Sequence, residues 1–114
     1  MIFGLDFDGT ITARPNEFYK LANNLYHNGD KVIVSSNRTD NRMNRMFVED
    51  FLANYDYEKV VSAVLLTGGM SKREHARKNG YEVDIWIDDN PILVDFGQQG
   101  FDELYDRDRT AIKG

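Results

Sequence analysis

The chain has 114 residues, 41% of them hydrophobic, so it can bury one core, and we expect a single domain over residues 1–114. The absence of cysteine excludes disulfides, thiolate catalysis and a cysteine zinc site, and it suits a reducing compartment. A formal net charge of −5 disfavours broad adhesion to nucleic acid. Neither a membrane span, which needs roughly 20 apolar residues, nor a signal peptide is evident. We therefore expect a cytoplasmic protein with no membrane partner.

The first part of the chain predicts two strands separated by a helix. Ile2 to Phe7 is nearly all apolar and is typical of a strand buried on both faces, although Asp6 interrupts it. A helix is predicted between Pro15 and Gly29, with apolar residues at helical spacing: Phe18, Leu21, Ala22 and Leu25. Lys31 to Ser35 then predicts a second strand.

Capping residues and apolar spacing predict three more helices. Thr39 or Asp40 is expected to cap the second helix. A stripe of large apolar side chains on that helix is expected to be core: Met43, Met46, Phe47 and Phe51. Ser71 begins a capping box for a third helix, and Pro91 suits the first turn of a short fourth helix.

Three apolar segments predict further strands, namely Val60 to Leu66, Val83 to Ile87 and Phe101 to Tyr105. Strands that alternate with helices and lack polar alternation indicate an α/β fold with a parallel sheet covered on both faces. Such sheets bind ligands beyond the carboxyl ends of their strands. The polar residues expected at that edge are Asp6, Asp8, Ser35, Ser36, Asp88 and Asp89, with Lys72 opening a helix nearby.

The segment Asp6-Phe7-Asp8-Gly9-Thr10 is the strongest signal in the sequence. An aspartate inside an apolar strand is costly to desolvate unless a cation or hydrogen bonds hold it. This segment resembles the first motif of the haloacid dehalogenase superfamily of phosphoryl-transfer enzymes. The resemblance suggests that the segment carries chemistry and does more than cap a strand.

Later segments resemble the remaining motifs of that superfamily, in the same order. Ser36 matches the serine or threonine of the second motif, with Ser35 as the alternative register. Lys72 matches the lysine of the third motif, with Lys78 as a competing choice. The pair Asp88-Asp89 matches the acidic fourth motif, and adjacent carboxylates repel unless one is neutralised or a cation intervenes.

The resemblance implies a three-layer, Rossmann-like (haloacid dehalogenase-like) fold with a mostly parallel sheet of about five strands. Many members of the superfamily carry a cap domain, inserted after the first motif or after the third strand. Only Ile11 to Arg14 and Thr67 to Met70 stand at those two places. We therefore expect a single catalytic domain with no cap and an open site.

The resemblance also implies a Mg²⁺-dependent phosphatase that hydrolyses a phosphate monoester through an aspartyl-phosphate. In that scheme Asp6 is the nucleophile, and Asp8 is general acid and then general base. Ser36, Asn37 and Lys72 bind the phosphate. The implied Mg²⁺ ligands are Asp6, the backbone carbonyl of Asp8, Asp88 and Asp89.

Several alternatives stay open on the sequence alone. The chain could be a phosphotransferase of the same superfamily, a receiver-like signalling module or a non-catalytic phosphate-binding relative. The expected partner is a phosphorylated small molecule or macromolecular end, with nucleic acid only as a substrate, and homo-oligomerisation is open. Arg38, Arg42 and Arg45 are spaced to share one helical face and could contact an anionic substrate, as could Arg14.

Three further side chains are expected to have no role in the site. His27 and His75 lack partners at metal-ligand spacing, so both are expected at the surface. Trp86 is expected in the core.

Overall fold

A four-stranded parallel sheet forms the centre of the computed structural model, which describes residues 1–97. Its strands are β1 (Ile2–Asp6), β2 (Lys31–Ser36), β3 (Ala63–Leu66) and β4 (Ile85–Ile87). They lie in the order β3-β2-β1-β4, and every neighbouring pair is parallel. The predicted α/β class with a parallel sheet is therefore confirmed.

Within residues 1–97, four α-helices connect or follow these strands: α1 (Pro15–His27), α2 (Arg42–Asn54), α3 (Lys72–Lys78) and α4 (Ile92–Asp95). A proline at the first position of α1 suits a helix start, because its fixed φ is already helical and it has no N–H to leave unpaired. The predicted cap of α3 is confirmed, since the Ser71 side chain accepts a hydrogen bond from the backbone three residues later. No described helix combines the length and apolar character required to cross a bilayer.

Helices cover both faces of the sheet. Successive side chains along a strand point to opposite faces, and each face packs against helices. Val32 and Val34 of β2 belong to the larger core cluster, together with residues of α1 and α2. Ile33, between them, belongs to a second cluster that includes Ala76 of α3. The described part of the chain is therefore a three-layer arrangement of helix, sheet and helix.

Several predicted boundaries are wrong by a few residues. The third strand is shorter than the predicted Val60 to Leu66, because a single helical turn, Tyr57–Lys59, precedes it and its pairing begins only at residue 63. The cap of α2 is Asn41, whose side chain accepts the capping hydrogen bond at 2.8 Å, and neither Thr39 nor Asp40 fills that position. The predicted fifth strand, residues 101–105, lies outside the described residues.

The predicted core stripe of α2 is wrong at three of its four residues and correct at Phe51, which packs against the core. Three of its side chains are largely exposed: Met43 (80%), Met46 (51%) and Phe47 (51%). The buried face of the helix instead runs through Val48 and Leu52, against which Phe51 packs. The side of the helix that faces the core is therefore displaced by about one residue from the predicted side. An apolar surface is left exposed at the amino-terminal half of the helix.

Candidate active site

The polar residues predicted at the carboxyl edge of the sheet do meet there. β1 ends at Asp6, β2 ends at Ser36, and β4 is followed directly by Asp88. The central strand β1 lies between β2 and β4, so the order of strands along the chain reverses beside it. In open parallel sheets this reversal creates a crevice at the carboxyl edge, where ligands bind.

A buried lysine joins two of these strand ends. The Lys72 ammonium donates hydrogen bonds to Asp6 Oδ1 and to Asp88 Oδ2, each at 2.6 Å. Only 2% of the Lys72 side chain is exposed, so the two carboxylates replace water as partners of its charge. Lys78, the competing choice, is exposed at the far end of α3.

Asp6 is held in a setting that disfavours its ionised form. Burial raises its pKa to about 7, and the neighbouring carboxyl of Asp89 acts in the same direction, while Lys72 opposes both. The second oxygen of Asp6 accepts a hydrogen bond from Thr10 Oγ1 at 3.1 Å. The pocket therefore holds more negative charge than Lys72 alone balances.

Three carboxylates of the pocket are suitably placed to share a cation. One oxygen each from Asp6, Asp88 and Asp89 lie within 4.8 Å of one another. Hard oxygen donors are the ligands that Mg²⁺ and Ca²⁺ prefer, so this donor set fits the implied ion. Gly9 permits the arrangement, because its φ is +83° and a Cβ there would collide with the carboxylate of Asp89.

Asp8 lies at the rim of the pocket and not within the acidic cluster. Its Oδ1 accepts a hydrogen bond from Arg38 Nη2 at 2.9 Å, and its Oδ2 accepts from Arg38 Nε at 3.0 Å. Ser36 Oγ donates to the same Oδ2 at 3.2 Å. Asp8 nevertheless lines the cavity of about 220 Å³ that also contains Asp6 and Lys72.

Ser36, and not Ser35, is hydrogen-bonded to a residue that lines this cavity. Ser36 Oγ bonds Asp8 and also accepts a hydrogen bond from the backbone N–H of Arg38 at 3.2 Å. Ser35 Oγ is buried without a hydrogen-bond partner among the described residues. Asn37 lines the cavity, and its Oδ1 accepts a hydrogen bond from Thr67 Oγ1 at 3.1 Å.

The arginines predicted to share a helical face have separate environments. Arg38 precedes α2 and pairs with Asp8, a role that sequence spacing did not indicate. Arg45 pairs with two carboxylates of its own surroundings, and Arg42 is exposed. Arg14 is exposed, but it lines a second cavity, of about 320 Å³, next to Asp88 and Asp89.

The other side chains singled out in the sequence lie away from this cavity. His27 is exposed at the end of α1, as expected. His75 is half-buried, so its expected surface position is only partly correct, and burial lowers its pKa. Trp86 packs against the smaller core cluster, as expected.

Comparison of the chain with models of protein families, with curated proteins and with solved structures gave no match in any of the three. A function for this chain is therefore inferred from its fold, its motifs and the geometry of its site.

The buried lysine should dominate the stability of the site. We expect Lys72→Met to lower the free energy of unfolding by about 3–5 kcal/mol, because it leaves two buried carboxylates without their counter-charge. Lys78→Met, at the exposed end of the same helix, should change it by less than about 0.5 kcal/mol. Urea denaturation of both variants measures the difference, and equal stabilities would contradict the described contacts.

The raised pKa of Asp6 predicts a specific pH dependence for metal-free protein. Because the folded state binds this proton more tightly than the unfolded state, the resulting stability is present below pH 3.8 and is lost as pH rises towards about 7. An asparagine at position 6 cannot titrate. The free energy of unfolding of the wild type should therefore fall relative to that of Asp6→Asn as pH rises from 3.8 to about 7. Denaturation with a chelator at several pH values measures it, and a difference independent of pH would refute the assignment.

Proposed function

We propose that this chain is a Mg²⁺-dependent phosphatase of the haloacid dehalogenase type, with a single domain and no cap. It hydrolyses a phosphate monoester through an aspartyl-phosphate on Asp6. The observation that carries the proposal is the buried Lys72 between Asp6 and Asp88, with Asp89 alongside, at the carboxyl edge of a parallel sheet. The fifth strand, predicted at residues 101–105, belongs to the same proposal.

The acidic cluster and the lysine suit the binding of a phosphate ester. Asp6, Asp88 and Asp89 would hold Mg²⁺ together with the backbone carbonyl of Asp8. Bound there, the ion supplies the positive charge that lets a phosphate dianion enter beside several carboxylates. The Lys72 ammonium keeps Asp6 in place and presents its charge to a phosphoryl oxygen, as a point charge without directional demands.

In the first step, one carboxylate oxygen of Asp6 attacks phosphorus, and the bond from phosphorus to the ester oxygen breaks. Asp8 gives its proton to the departing ester oxygen. Both oxygens of Asp8 are occupied by Arg38 donors in the described structure, so this ion pair has to open before Asp8 can carry a proton. Ser36 donates a hydrogen bond to Asp8, which lines the same cavity.

In the second step, water attacks phosphorus and the bond to Asp6 breaks, which releases inorganic phosphate and restores the carboxylate. Asp8 takes the proton of the attacking water and is ready for another cycle. In this proposal Ser36, which is bonded to Asp8, and the backbone N–H of Asn37, which lines the cavity, donate hydrogen bonds to phosphoryl oxygens. One carboxyl group thus serves both half-reactions.

The surroundings of the cavity favour an uncovered site. Four residues separate the turn at Thr10 from α1, and the connection from β3 to α3 is a short loop, so neither place holds an inserted domain. The phosphate end of a substrate would be bound in the cavity while the remainder stays outside. A large substrate or a phosphorylated macromolecular end would be compatible with such a site.

Binding of the ion can be tested apart from catalysis. We expect Mg²⁺ to raise the thermal unfolding midpoint of the wild-type protein, because a ligand that binds only the folded state stabilises it. Asp89→Asn should lose most of this increase. Asp50→Asn, the same chemical change at an exposed position on α2, should keep it. An identical increase in all three proteins would contradict the metal site.

Catalysis is tested with a generic aryl phosphate. We expect hydrolysis that requires Mg²⁺ and stops on chelation, and a loss of more than about a thousandfold in kcat for Asp6→Asn. Asp8→Asn should lower the rate by about 10² to 10⁴ on esters with poor leaving groups, and less on good ones. Asp50→Asn serves as the control, and circular dichroism verifies the fold of each variant. Wild-type rates in Asp6→Asn would refute the nucleophile.

A further inference from the structure

The amino-terminal half of α2 carries an exposed apolar surface, formed by Met43, Met46 and Phe47 and here called the α2 surface. The three residues follow helical spacing, so they share one side of the helix. The buried side of α2 runs through Val48 and Leu52, and the α2 surface meets the core through the edge-to-face contact of Phe47 with Phe7. Adjacent exposed apolar side chains of this size commonly mark a binding surface.

One side chain connects the α2 surface to the catalytic pocket. The guanidinium carbon of Arg38 lies 4.6 Å from the centre of the Phe47 ring and 5.8 Å from the centre of the Phe7 ring. The same guanidinium holds Asp8 through two hydrogen bonds. A single planar group therefore separates the proposed acid from the exposed aromatic ring.

The chemistry of this surface favours an aromatic ligand over an aliphatic one. Arg guanidinium groups and aromatic rings both present planar faces on which a further ring can stack. Methionine thioethers also make favourable contacts with aromatic rings, and Met43 and Met46 stand beside Phe47. Phe47 packs edge to face on Phe7, so its ring is fixed in orientation while half of it stays exposed.

We propose that the α2 surface and Arg38 bind the leaving group of the substrate, and that this leaving group carries an aromatic ring. The inference rests on the proposed phosphatase function, since it assigns the substrate class of the same site. The phosphate binds among the carboxylates and Lys72, and the ring stacks outside the cavity on Arg38 and Phe47.

Two esters that differ only in a remote ring test the proposal. Phenethyl phosphate and ethyl phosphate have alcohols of similar leaving ability, because two carbons separate the ring from the reacting oxygen. We expect kcat/KM to favour the phenethyl ester by about tenfold, equivalent to about 1.4 kcal/mol, mainly through KM. A ratio near one would overturn the proposal.

Variants locate the preference on the structure. Phe47→Leu, which keeps an apolar side chain, should bring the ratio close to one. Met43→Ser should reduce the ratio without a risk to folding, because Met43 is 80% exposed. Tyr26→Leu is the matched control, since Tyr26 is 50% exposed near the carboxyl-terminal end of α1, and it should keep the wild-type ratio. A preference unchanged in Phe47→Leu would contradict the assignment.

Binding of the corresponding phosphonates separates this inference from the proposed function. In 3-phenylpropylphosphonate and propylphosphonate a CH2 group replaces the ester oxygen, so neither can be hydrolysed, and calorimetry with Mg²⁺ present measures their affinities. Tighter binding of the aromatic compound, lost in Phe47→Leu, supports the subsite even if no ester is turned over, in which case only the phosphatase proposal fails. Equal affinities overturn the subsite. A dimer detected by sedimentation and abolished by Phe47→Leu would show that the α2 surface binds a second copy of the chain. That result would also overturn the proposed subsite.

Discussion

The buried ammonium of Lys72 is the interaction on which the site depends. It joins the end of the central strand, at Asp6, to the residue that follows β4, at Asp88. Neither carboxylate could remain ionised at that depth without a partner, and a buried lysine would be equally costly alone. The ion pairs therefore fix the relative positions of two strand ends and one helix start.

The charge balance of the pocket explains why it suits a cation and a phosphate. Three carboxylates face one ammonium. Burial raises the pKa of Asp6, and the neighbouring carboxyl of Asp89 acts in the same direction. A divalent ion would relieve the excess of negative charge and reverse the sign of the local potential, so that an anionic ester could approach. Asp8, which Arg38 holds outside the acidic cluster, does not share the Lys72 ammonium with the three carboxylates. Two carboxyl groups two residues apart thus acquire different environments.

Much of the site could be predicted because parallel sheets collect their strand ends at one edge. Alternation along the strand places Ser35 and Ser36 on opposite faces but does not choose between them. The structure shows that Ser36 is the one bonded to Asp8. The Arg38 contact could not be predicted, because it depends on the path of a loop between β2 and α2. The exposed face of α2 could not be predicted, because a helical stripe in the sequence does not specify which side packs on the sheet.

Trapping of the covalent intermediate tests the central claim most directly. Wild-type protein mixed with an aryl phosphate and Mg²⁺, quenched in acid and reduced with borohydride, should yield homoserine at position 6 in peptide mass spectrometry. This conversion is specific to an acyl phosphate on an aspartate. Protein that turns over the ester yet shows no modification at Asp6, or shows it at another aspartate, would contradict the role assigned to Asp6.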